Sequence, residues 1–274
     1  MTEASLLDRL TPGDHVCLIF DDEPLRTRSV AAYIRAGLRD HHRILYHGPG
    51  GDRVEAELTA QGVDVGTAYA RGQLRIGGEH LSGATFDPEA TIESWRAAAR
   101  QAAAAGYRGL RAVGDMSWAR IQDDRLTWYE SRVNRIFAEG FAMGVCLYNR
   151  RLFSADRLRW VTRSHPATVT EETDPRAVPL FRAVRISDPP GIRLEGEADL
   201  SNRHALNAVI EHLLEDGAAT LTVDVGGLRF ADSAAARNLL RVADGRQLRL
   251  VGCSRSLRRL LTFHSAGQAV EYVA

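Results

Sequence analysis

The chain has 274 residues, of which 45% are apolar and 26% charged, and its formal net charge at pH 7 is zero. This composition is typical of a soluble protein with a sizeable core, and it predicts no general attraction to nucleic acid or to an anionic membrane. No apolar run approaches the roughly 18 residues of a membrane span, and the first residues do not resemble a signal peptide. The three cysteines are scattered and odd in number, which favours reduced thiols and a cytoplasmic protein.

Lysine is absent, which excludes a Schiff-base lysine, a lysine general base and the lysine of a Walker-type phosphate loop. The loop after the first predicted strand, where a nucleotide-binding α/β domain carries its phosphate loop, contains Asp21, Asp22 and Glu23 and no glycine. These carboxylates would repel a triphosphate. We therefore predict no catalytic residues, no cofactor and no enzyme activity. A nucleotide-binding protein or an enzyme that uses the N-terminal crevice is the alternative.

In chain order, the first 170 residues alternate apolar strands with amphipathic helices. This alternation predicts an α/β domain with a mostly parallel sheet and helices on both faces. The predicted strands are 15–20, 43–47, 73–76, 109–114, 143–148 and a short one after His165-Pro166, and the predicted helices are 23–38, 53–61, 89–105, 125–138 and 155–163.

Residues 171–180 are polar and contain two prolines, so we predict an interdomain linker there. The order of elements then changes, because two strands joined by a short turn precede the next helix. This hairpin opens a small α/β domain, 181–274, whose size suits independent folding. Its predicted strands are 181–186, 192–196, 219–225, 247–251 and 269–273, and its predicted helices are 201–214, 233–243 and 254–264.

A turn at Gly226-Gly227 is predicted to lead from the strand 219–225 towards the helix 233–243. Asp232 or Ser233 is placed to cap that helix, whose apolar side is formed by Ala236, Leu239 and Leu240. Free backbone N–H groups beside a hydroxyl suit an anion, a phosphorylated side chain or a docking partner. A capped helix without such a role is the alternative.

Two groups of residues are candidates for ligand chemistry in the first domain. His15 and Cys17 share one face of a strand, and with Cys146 they could bind a metal if a fourth ligand came from elsewhere. No CxxC or HxxxH pair supports this, so we predict structural packing and no metal site. The second group follows the carboxyl ends of the strands, where open parallel sheets bind ligands, and ordinary polar loops are the equal alternative. It comprises 21–23, 47–48, 114–118 and 148–151.

Four blocks of sequence in the first domain belong together: Gly13-Asp-His-Val-Cys-Leu-Ile-Phe20, Tyr107-Arg-Gly-Leu-Arg111, Gly114-Asp-Met-Ser-Trp-Ala119 and Cys146-Leu-Tyr-Asn-Arg-Arg-Leu-Phe153. These blocks, covering roughly residues 8–170, resemble the MEDS domain, a sensory module of methanogens, methylotrophs and many actinobacteria. The resemblance implies a RecA/KaiC-like core that has lost its phosphate-binding loop, and a domain that senses a small molecule, proposed to be a simple hydrocarbon derivative, without catalysis. On this basis the ligand-binding candidates are His15, Cys17, Asp115, Trp118, Tyr148 and Arg151.

Four further blocks lie in the second domain: Gly196-Glu-Ala-Asp-Leu200, Leu221-Thr-Val-Asp-Val225, Phe230-Ala-Asp-Ser233 and Leu248-Arg-Leu-Val-Gly252. These blocks resemble a STAS domain of the anti-sigma factor antagonist type. The resemblance implies docking onto an anti-sigma factor or kinase-like protein, with Asp232, Ser233 and Arg237 as partner-binding candidates. The family's motif, Asp-Ser-Ser/Thr-Gly, is phosphorylated at its third position, which is Ala234 here, so Ser233 is the only hydroxyl of that motif left as a phosphorylation candidate.

Together these features predict a cytoplasmic signal-transduction regulator of transcription. A sensory domain, 1–170, would control a STAS domain that binds an anti-sigma factor, and control would come from the sensory domain more than from phosphate. We expect no direct binding of nucleic acid or membrane. The sequence is compatible with a homodimer. A first domain that binds no ligand and acts as a protein scaffold is a further alternative.

Overall fold

The computed structural model describes residues 6–77, 86–120, 124–170, 173, 181–265 and 269–273. The predicted linker 171–180 therefore lies outside the described residues, apart from Thr173. The described residues form two sheets, one before and one after this segment, and each sheet packs against its own helices. No described helix has the length and apolar content needed to span a bilayer.

The first sheet has six parallel strands in the spatial order β3-β2-β4-β5-β1-β6. The predicted α/β fold with a parallel sheet is confirmed, and the strand bounds agree closely with the apolar runs of the sequence. The strands are β1 (His15–Phe20), β2 (Arg43–His47), β3 (Leu74–Gly77), β4 (Leu110–Asp115), β5 (Ala142–Asn149) and β6 (Ala167–Thr170). The helices are α1 (Glu23–Arg39), α2 (Gly51–Ala60), α3 (Val65–Ala70), α4 (Pro88–Ala104), α5 (Asp124–Ala138) and α6 (Ala155–Ser164).

Strand β1 is buried along its whole length, so its two faces contribute to two different cores. Side chains alternate along a strand. Val16, Leu18 and Phe20 accordingly pack in the core beneath α1, α2 and α3. Cys17 and Ile19 belong to the core on the other side of the sheet, beneath α4, α5 and α6. His15 shares this second face.

The second sheet has five strands in the order β11-β10-β9-β8-β7. As predicted, a hairpin opens this domain: β7 and β8 pair antiparallel, and the remaining pairs are parallel. The strands are β7 (Arg182–Ser187), β8 (Pro190–Ala198), β9 (Thr220–Ala231), β10 (Gln247–Val251) and β11 (Val270–Val273), and the helices are α7 (Arg203–Leu214), α8 (Ser233–Leu240) and α9 (Arg255–His264).

The predicted turn at Gly226-Gly227 is wrong, because β9 continues through both glycines to Ala231. Gly227 pairs with Glu195 of β8, and the pairing register shifts on either side of that position. A Cβ atom on Gly227 would lie 2.7 Å from Cγ of Glu195, so glycine permits the close approach of the two strands. The glycines therefore mark an irregular strand, and the strand leads directly into α8.

The cap of α8 follows the sequence prediction. The carboxylate of Asp232 accepts a hydrogen bond of 2.7 Å from the backbone N–H of Ala235. Ala236, Leu239 and Leu240 are buried in the core of the second domain. Asp232, rather than Ser233, is thus the capping residue.

The two domains are joined by ion pairs and by apolar contact. Two oxygens of buried Asp14 accept hydrogen bonds of 2.6 and 2.8 Å from the guanidinium of Arg182, the first residue of β7. Arg135 of α5 donates to Glu215 at 2.7 Å. Ala138, the last residue of α5, is buried in the core of the second domain. The start of β1 and the end of α5 therefore both contact the C-terminal domain.

Substitution of Arg182 by alanine is expected to lower the free energy of unfolding by about 3 kcal/mol, because it leaves the buried carboxylate of Asp14 without a cation. Urea denaturation followed by circular dichroism measures this change. Arg185→Ala is the matched control, because Arg185 pairs with the more exposed Asp216 inside the second domain, and we expect it to cost about 1 kcal/mol or less. Equal losses for the two variants would contradict the predicted importance of the contact between the domains.

Candidate functional site

Four side chains that can bind a metal ion or a proton meet in the layer between the first sheet and helices α5 and α6. They are His15 of β1, Glu130 of α5, Cys146 of β5 and His165, which precedes β6. All four side chains are buried, and one ligand atom from each lies within 4.8 Å of the others. We call these four residues the buried cluster.

The pairing of β1 with β5 brings two members of the cluster together. Cys17 lies opposite Cys146 and His15 opposite Gly144, so Cys146 is two residues further along on the same face. The Cys146 thiol lies 3.3 Å from Nε2 of His15. A Cβ atom on Gly144 would come within 2.4 Å of the ring of Phe137, so the glycine leaves room for that ring. Phe137 stacks on the His15 imidazole at 4.4 Å between ring centroids.

Helix α5 supplies Glu130 and, one turn later, Asn134, so both side chains lie on the same face of the helix. The amide nitrogen of Asn134 donates to the carbonyl oxygens of Ser164, at 2.8 Å, and of Glu130, at 2.9 Å. Its oxygen therefore faces Nδ1 of His15, at 3.0 Å, and accepts the proton that Nδ1 carries. Asn134 thus orients the His15 ring and leaves the lone pair of Nε2 directed at the cluster.

His165 is positioned by the end of α6. The following Pro166 disfavours helical dihedral angles at the residue before it, and His165 is extended, with φ −108° and ψ 144°. Its Nδ1 donates to the carbonyl oxygen of Val161 at 2.9 Å. The lone pair of Nε2 consequently points towards Glu130, whose Oε2 lies 3.3 Å away.

Burial controls the protonation of the cluster. It lowers the pKa of His165 to about 4 and that of His15 well below its usual value, so both imidazoles are neutral at pH 7. Burial also raises the pKa of the Cys146 thiol well above its ordinary value. The pKa of Glu130 is raised to about 7, again by burial, although the hydrogen bond from the Tyr148 hydroxyl opposes the shift.

Of the predicted ligand-binding residues, His15, Cys17 and Tyr148 lie together in this layer. Cys17 is not a member of the cluster, because its thiol is hydrogen-bonded to the hydroxyl of Thr168 at 3.2 Å. Burial raises the pKa of Cys17 to about 12. Tyr148 contacts the cluster through the carboxylate of Glu130.

Asp115 and Arg151 lie apart from that group, whereas Trp118 packs against the same apolar core as Cys17 and Tyr148. Asp115 ends β4 and accepts a 2.8 Å hydrogen bond from Arg26 of α1, on the opposite side of the sheet. Trp118 packs against Phe86, with 4.3 Å between ring centroids, and Arg151 is exposed at the surface. The six predicted residues therefore do not form one binding site within the described part of the chain.

Sequence reasoning missed Glu130 and His165. Glu130 lies in an amphipathic helix, where a carboxylate usually faces solvent. His165 is predicted only to precede a short strand. A useful signal was the spacing of four residues between Glu130 and Asn134, which places two polar side chains on one face of α5.

A groove of about 560 Å³ lies where the two domains meet. Ala99 and Ala103 of α4, Ile136 of α5 and Phe141 form its apolar wall, and His212 of α7 lines it from the second domain. Pockets for small molecules are commonly apolar and found between domains. Since Ile136 belongs to α5, the groove and the buried cluster contact the same helix.

The predicted partner-binding residues surround the start of α8. Ser233 and Arg237 are exposed, whereas Asp232 is partly buried by its capping role. Two apolar side chains nearby are also exposed to solvent, Phe230 by 52% and Leu200 by 51%. Ala198 and Ala231, the last residues of β8 and β9, are paired in the sheet. Leu200 and Phe230 therefore lie at the same end of the sheet. We call Leu200, Phe230, Ser233 and Arg237 the α8 surface.

The architecture is that of a two-domain α/β protein, with a parallel six-stranded sheet followed by a mixed five-stranded sheet. The chain belongs to the MEDS family, since the model of the MEthanogen/methylotroph, DcmR Sensory domain matches residues 14–166. A second family model, described as "Mlab, STAS domain", matches residues 182–270. Both resemblances seen in the sequence, and their order, are confirmed.

Two solved structures with low sequence identity are similar to the chain. A KaiC-like protein of Pyrococcus horikoshii is 13% identical, with a TM-score of 0.43, over 68% of this chain and 79% of that one. The flagellar accessory protein FlaH of Methanocaldococcus jannaschii is 10% identical, with a TM-score of 0.46, over 71% of this chain and 85% of that one. The search of curated proteins gave no significant match.

Native protein treated with iodoacetamide at neutral pH is expected to be alkylated at Cys253 alone. Cys17 and Cys146 are buried, and burial disfavours the reactive thiolate by raising the pKa of both thiols. Cys253 is partly exposed, so it reacts slowly but remains accessible. Mass spectrometry of tryptic peptides measures the sites, and urea-unfolded protein, labelled at all three cysteines, is the control. Rapid native labelling of Cys146 would contradict the sealed cluster.

Proposed function

We propose that this protein is a cytoplasmic signal-transduction regulator of transcription in which the MEDS domain senses a small molecule and thereby controls a STAS domain that binds an anti-sigma factor. The observation that carries the proposal is the position of α5. This helix contributes Ile136 to the groove between the domains, and Arg135 and Ala138 near its end contact the STAS domain. A change at the sensory site therefore reaches the output domain through one rigid element. The three free cysteines support a reducing compartment.

The groove between the domains is the proposed site of the small molecule. Its wall is mainly apolar, which suits a simple hydrocarbon derivative, and residues of both domains line it. A molecule bound there contacts α4, α5 and His212 of α7 at once. Such a molecule stabilises one arrangement of the two domains over another. The size of this effect equals the difference between its binding free energies for the two arrangements.

The α8 surface is the proposed docking site for the anti-sigma factor. Exposed aromatic and arginine side chains, such as Phe230 and Arg237, are typical anchors of protein interfaces. Ala234 replaces the residue that related domains phosphorylate. We therefore propose that the sensory domain, and not phosphorylation, sets the affinity for the partner.

Binding without catalysis is the proposed role of the MEDS domain. Helix α1 begins with Glu23 after Asp22, so carboxylates occupy the place where a phosphate would need backbone donors. Arg26, the nearby buried cation, is already engaged by Asp115 and by the carbonyl oxygen of Pro49. This arrangement supports a domain that binds neither ATP nor GTP.

Replacing Phe230 with aspartate is expected to abolish capture of an anti-sigma factor, because it places a charge in the apolar part of the α8 surface. The full chain is used as bait in an extract of its own host, and captured proteins are identified by mass spectrometry. Phe263→Asp is the matched control, since Phe263 of α9 is 83% exposed and lies outside the α8 surface.

The proposal requires an anti-sigma factor with the wild-type chain and with Phe263→Asp, and its loss with Phe230→Asp. Wild-type protein that is folded but recovers no anti-sigma factor or kinase-like protein would count against the proposed output.

Replacing Ala103 with tryptophan is expected to block the groove, because Ala103 lines it and its side chain is exposed. The probe is 1-anilinonaphthalene-8-sulfonate, an apolar dye whose fluorescence rises on transfer out of water. Ala104→Trp is the control, since Ala104 is the next residue of α4, is exposed and does not line the groove. Reduced dye binding in the first variant alone is the expected result.

Equal dye binding by the two variants would contradict a ligand site in the groove. Calorimetry with ATP or GTP in the presence of Mg²⁺ is expected to show no binding. Tight, Mg²⁺-dependent binding would instead favour the alternative, a nucleotide-binding protein or enzyme.

A further inference from the structure

The buried cluster has the donor set of a transition-metal site. Two imidazole nitrogens, one carboxylate oxygen and one sulfur come from four separate segments of the chain: β1, α5, β5 and the residue that follows α6. In a tetrahedral site with bonds of 2.0–2.3 Å, neighbouring ligand atoms are about 3.3–3.7 Å apart. Here the Cys146 sulfur is 3.3 Å from His15 Nε2, and Glu130 Oε2 is 3.3 Å from His165 Nε2. Small side-chain movements would bring all four atoms onto one ion.

The hydrogen bonds around the cluster already orient its ligands. Asn134 fixes the proton of His15 on Nδ1, and the carbonyl oxygen of Val161 fixes that of His165 on Nδ1. Both Nε2 lone pairs therefore face the cluster, and that of His15 is in contact with the Cys146 thiol, whose proton a bound cation would displace. The Tyr148 hydroxyl holds the other oxygen of Glu130. Metal-bound histidines and carboxylates are commonly held by such outer hydrogen bonds.

Two atoms of the cluster have unmet bonding capacity. Glu130 Oε2 and His165 Nε2 are both buried and neither has a hydrogen-bond partner, although they lie 3.3 Å apart. With an ionised carboxylate, both are acceptors that face each other without a proton between them. Two buried acceptors in that position need either a proton on the carboxyl group or a bound cation between them.

Charge and ligand type together select the ion. A divalent cation bound by one carboxylate, one thiolate and two neutral imidazoles gives a site with no net charge, which suits burial. Nitrogen and sulfur donors exclude Mg²⁺ and Ca²⁺, which require oxygen ligands. Four protein ligands that include imidazole and thiolate, in a site closed to solvent, are typical of structural Zn²⁺.

We propose that His15, Glu130, Cys146 and His165 form a Zn²⁺ site that fixes α5 against the sheet of the MEDS domain. The site was not expected from the sequence, which suggested packing for His15, Cys17 and Cys146. Cys17 is replaced in the ligand set by Glu130 and His165. The inference goes beyond the proposed function, because it holds whether or not the STAS domain binds an anti-sigma factor.

The test uses the full chain and needs no partner. Protein stripped of metal with a chelator is titrated with Zn²⁺ and, separately, with Co²⁺. About one equivalent of either ion is expected to bind. Tetrahedral Co²⁺ should give intense visible bands, and coordination by Cys146 should add a thiolate-to-cobalt charge-transfer band in the near ultraviolet.

Cys146→Ser should lose the charge-transfer band, whereas the matched control Cys253→Ser should keep it, because Cys253 is far from the cluster and in the other domain. Glu130→Gln keeps the size of the side chain and removes its charge. We expect it to weaken Zn²⁺ binding, measured by competition with a chromophoric chelator, by more than the roughly 10–100-fold that loss of an outer hydrogen bond costs.

A folded wild-type chain that takes up neither ion would overturn the site. So would a charge-transfer band that is equally strong in Cys146→Ser and Cys253→Ser. If Cys146→Ser does not fold, the wild-type cobalt spectrum and the affinity of Glu130→Gln decide the question. Capture of an anti-sigma factor is scored in a separate experiment, so failure of either proposal is recognised independently.

Discussion

The amide of Asn134 links three parts of the MEDS domain. Through it, α5 is hydrogen-bonded to His15 of β1 and to the carbonyl oxygen of Ser164 at the end of α6. Such a buried network is stable only if each of its polar groups is satisfied. Three other features support the same positions of the side chains: the large ring of Phe137, the absence of a side chain at Gly144 and the extended backbone of His165. The polar layer therefore determines where α5 can lie.

The position of α5 in turn determines the contact between the domains. Asp14, which directly precedes His15, holds Arg182 of the STAS domain, and Arg135 directly follows Asn134. His15 and Asn134 of the buried layer thus each have a direct neighbour in the chain that contacts the other domain. A sensory site and an output domain need not share any residue to be coupled when adjacent residues of one strand and one helix serve both.

The fold could be predicted from the sequence more fully than the site. Apolar runs give the bounds of β1 and β2 because both strands are buried, and Asp232 is a recognisable cap. The turn predicted at Gly226-Gly227 is wrong because a glycine pair is typical of a turn. The pairing of Gly227 with strand β8, which places it inside a strand, cannot be seen in the sequence. Glu130 and His165 depend on the packing of α5 and α6 on the sheet, which no local pattern specifies. The carboxyl-end rule also directs attention away from His15, which lies at the opposite end of β1.

The length of α5 has one more consequence. Glu130 and Ala138 are eight residues apart, which corresponds to about 12 Å along the axis of a helix. When the helix tilts by a few degrees about a point near Glu130, Ala138 is therefore displaced by about 1 Å. A displacement of that size is enough to disturb close packing in the core of the STAS domain, where Ala138 is buried. Packing of the STAS core around Ala138 is thus sensitive to small changes in the tilt of α5.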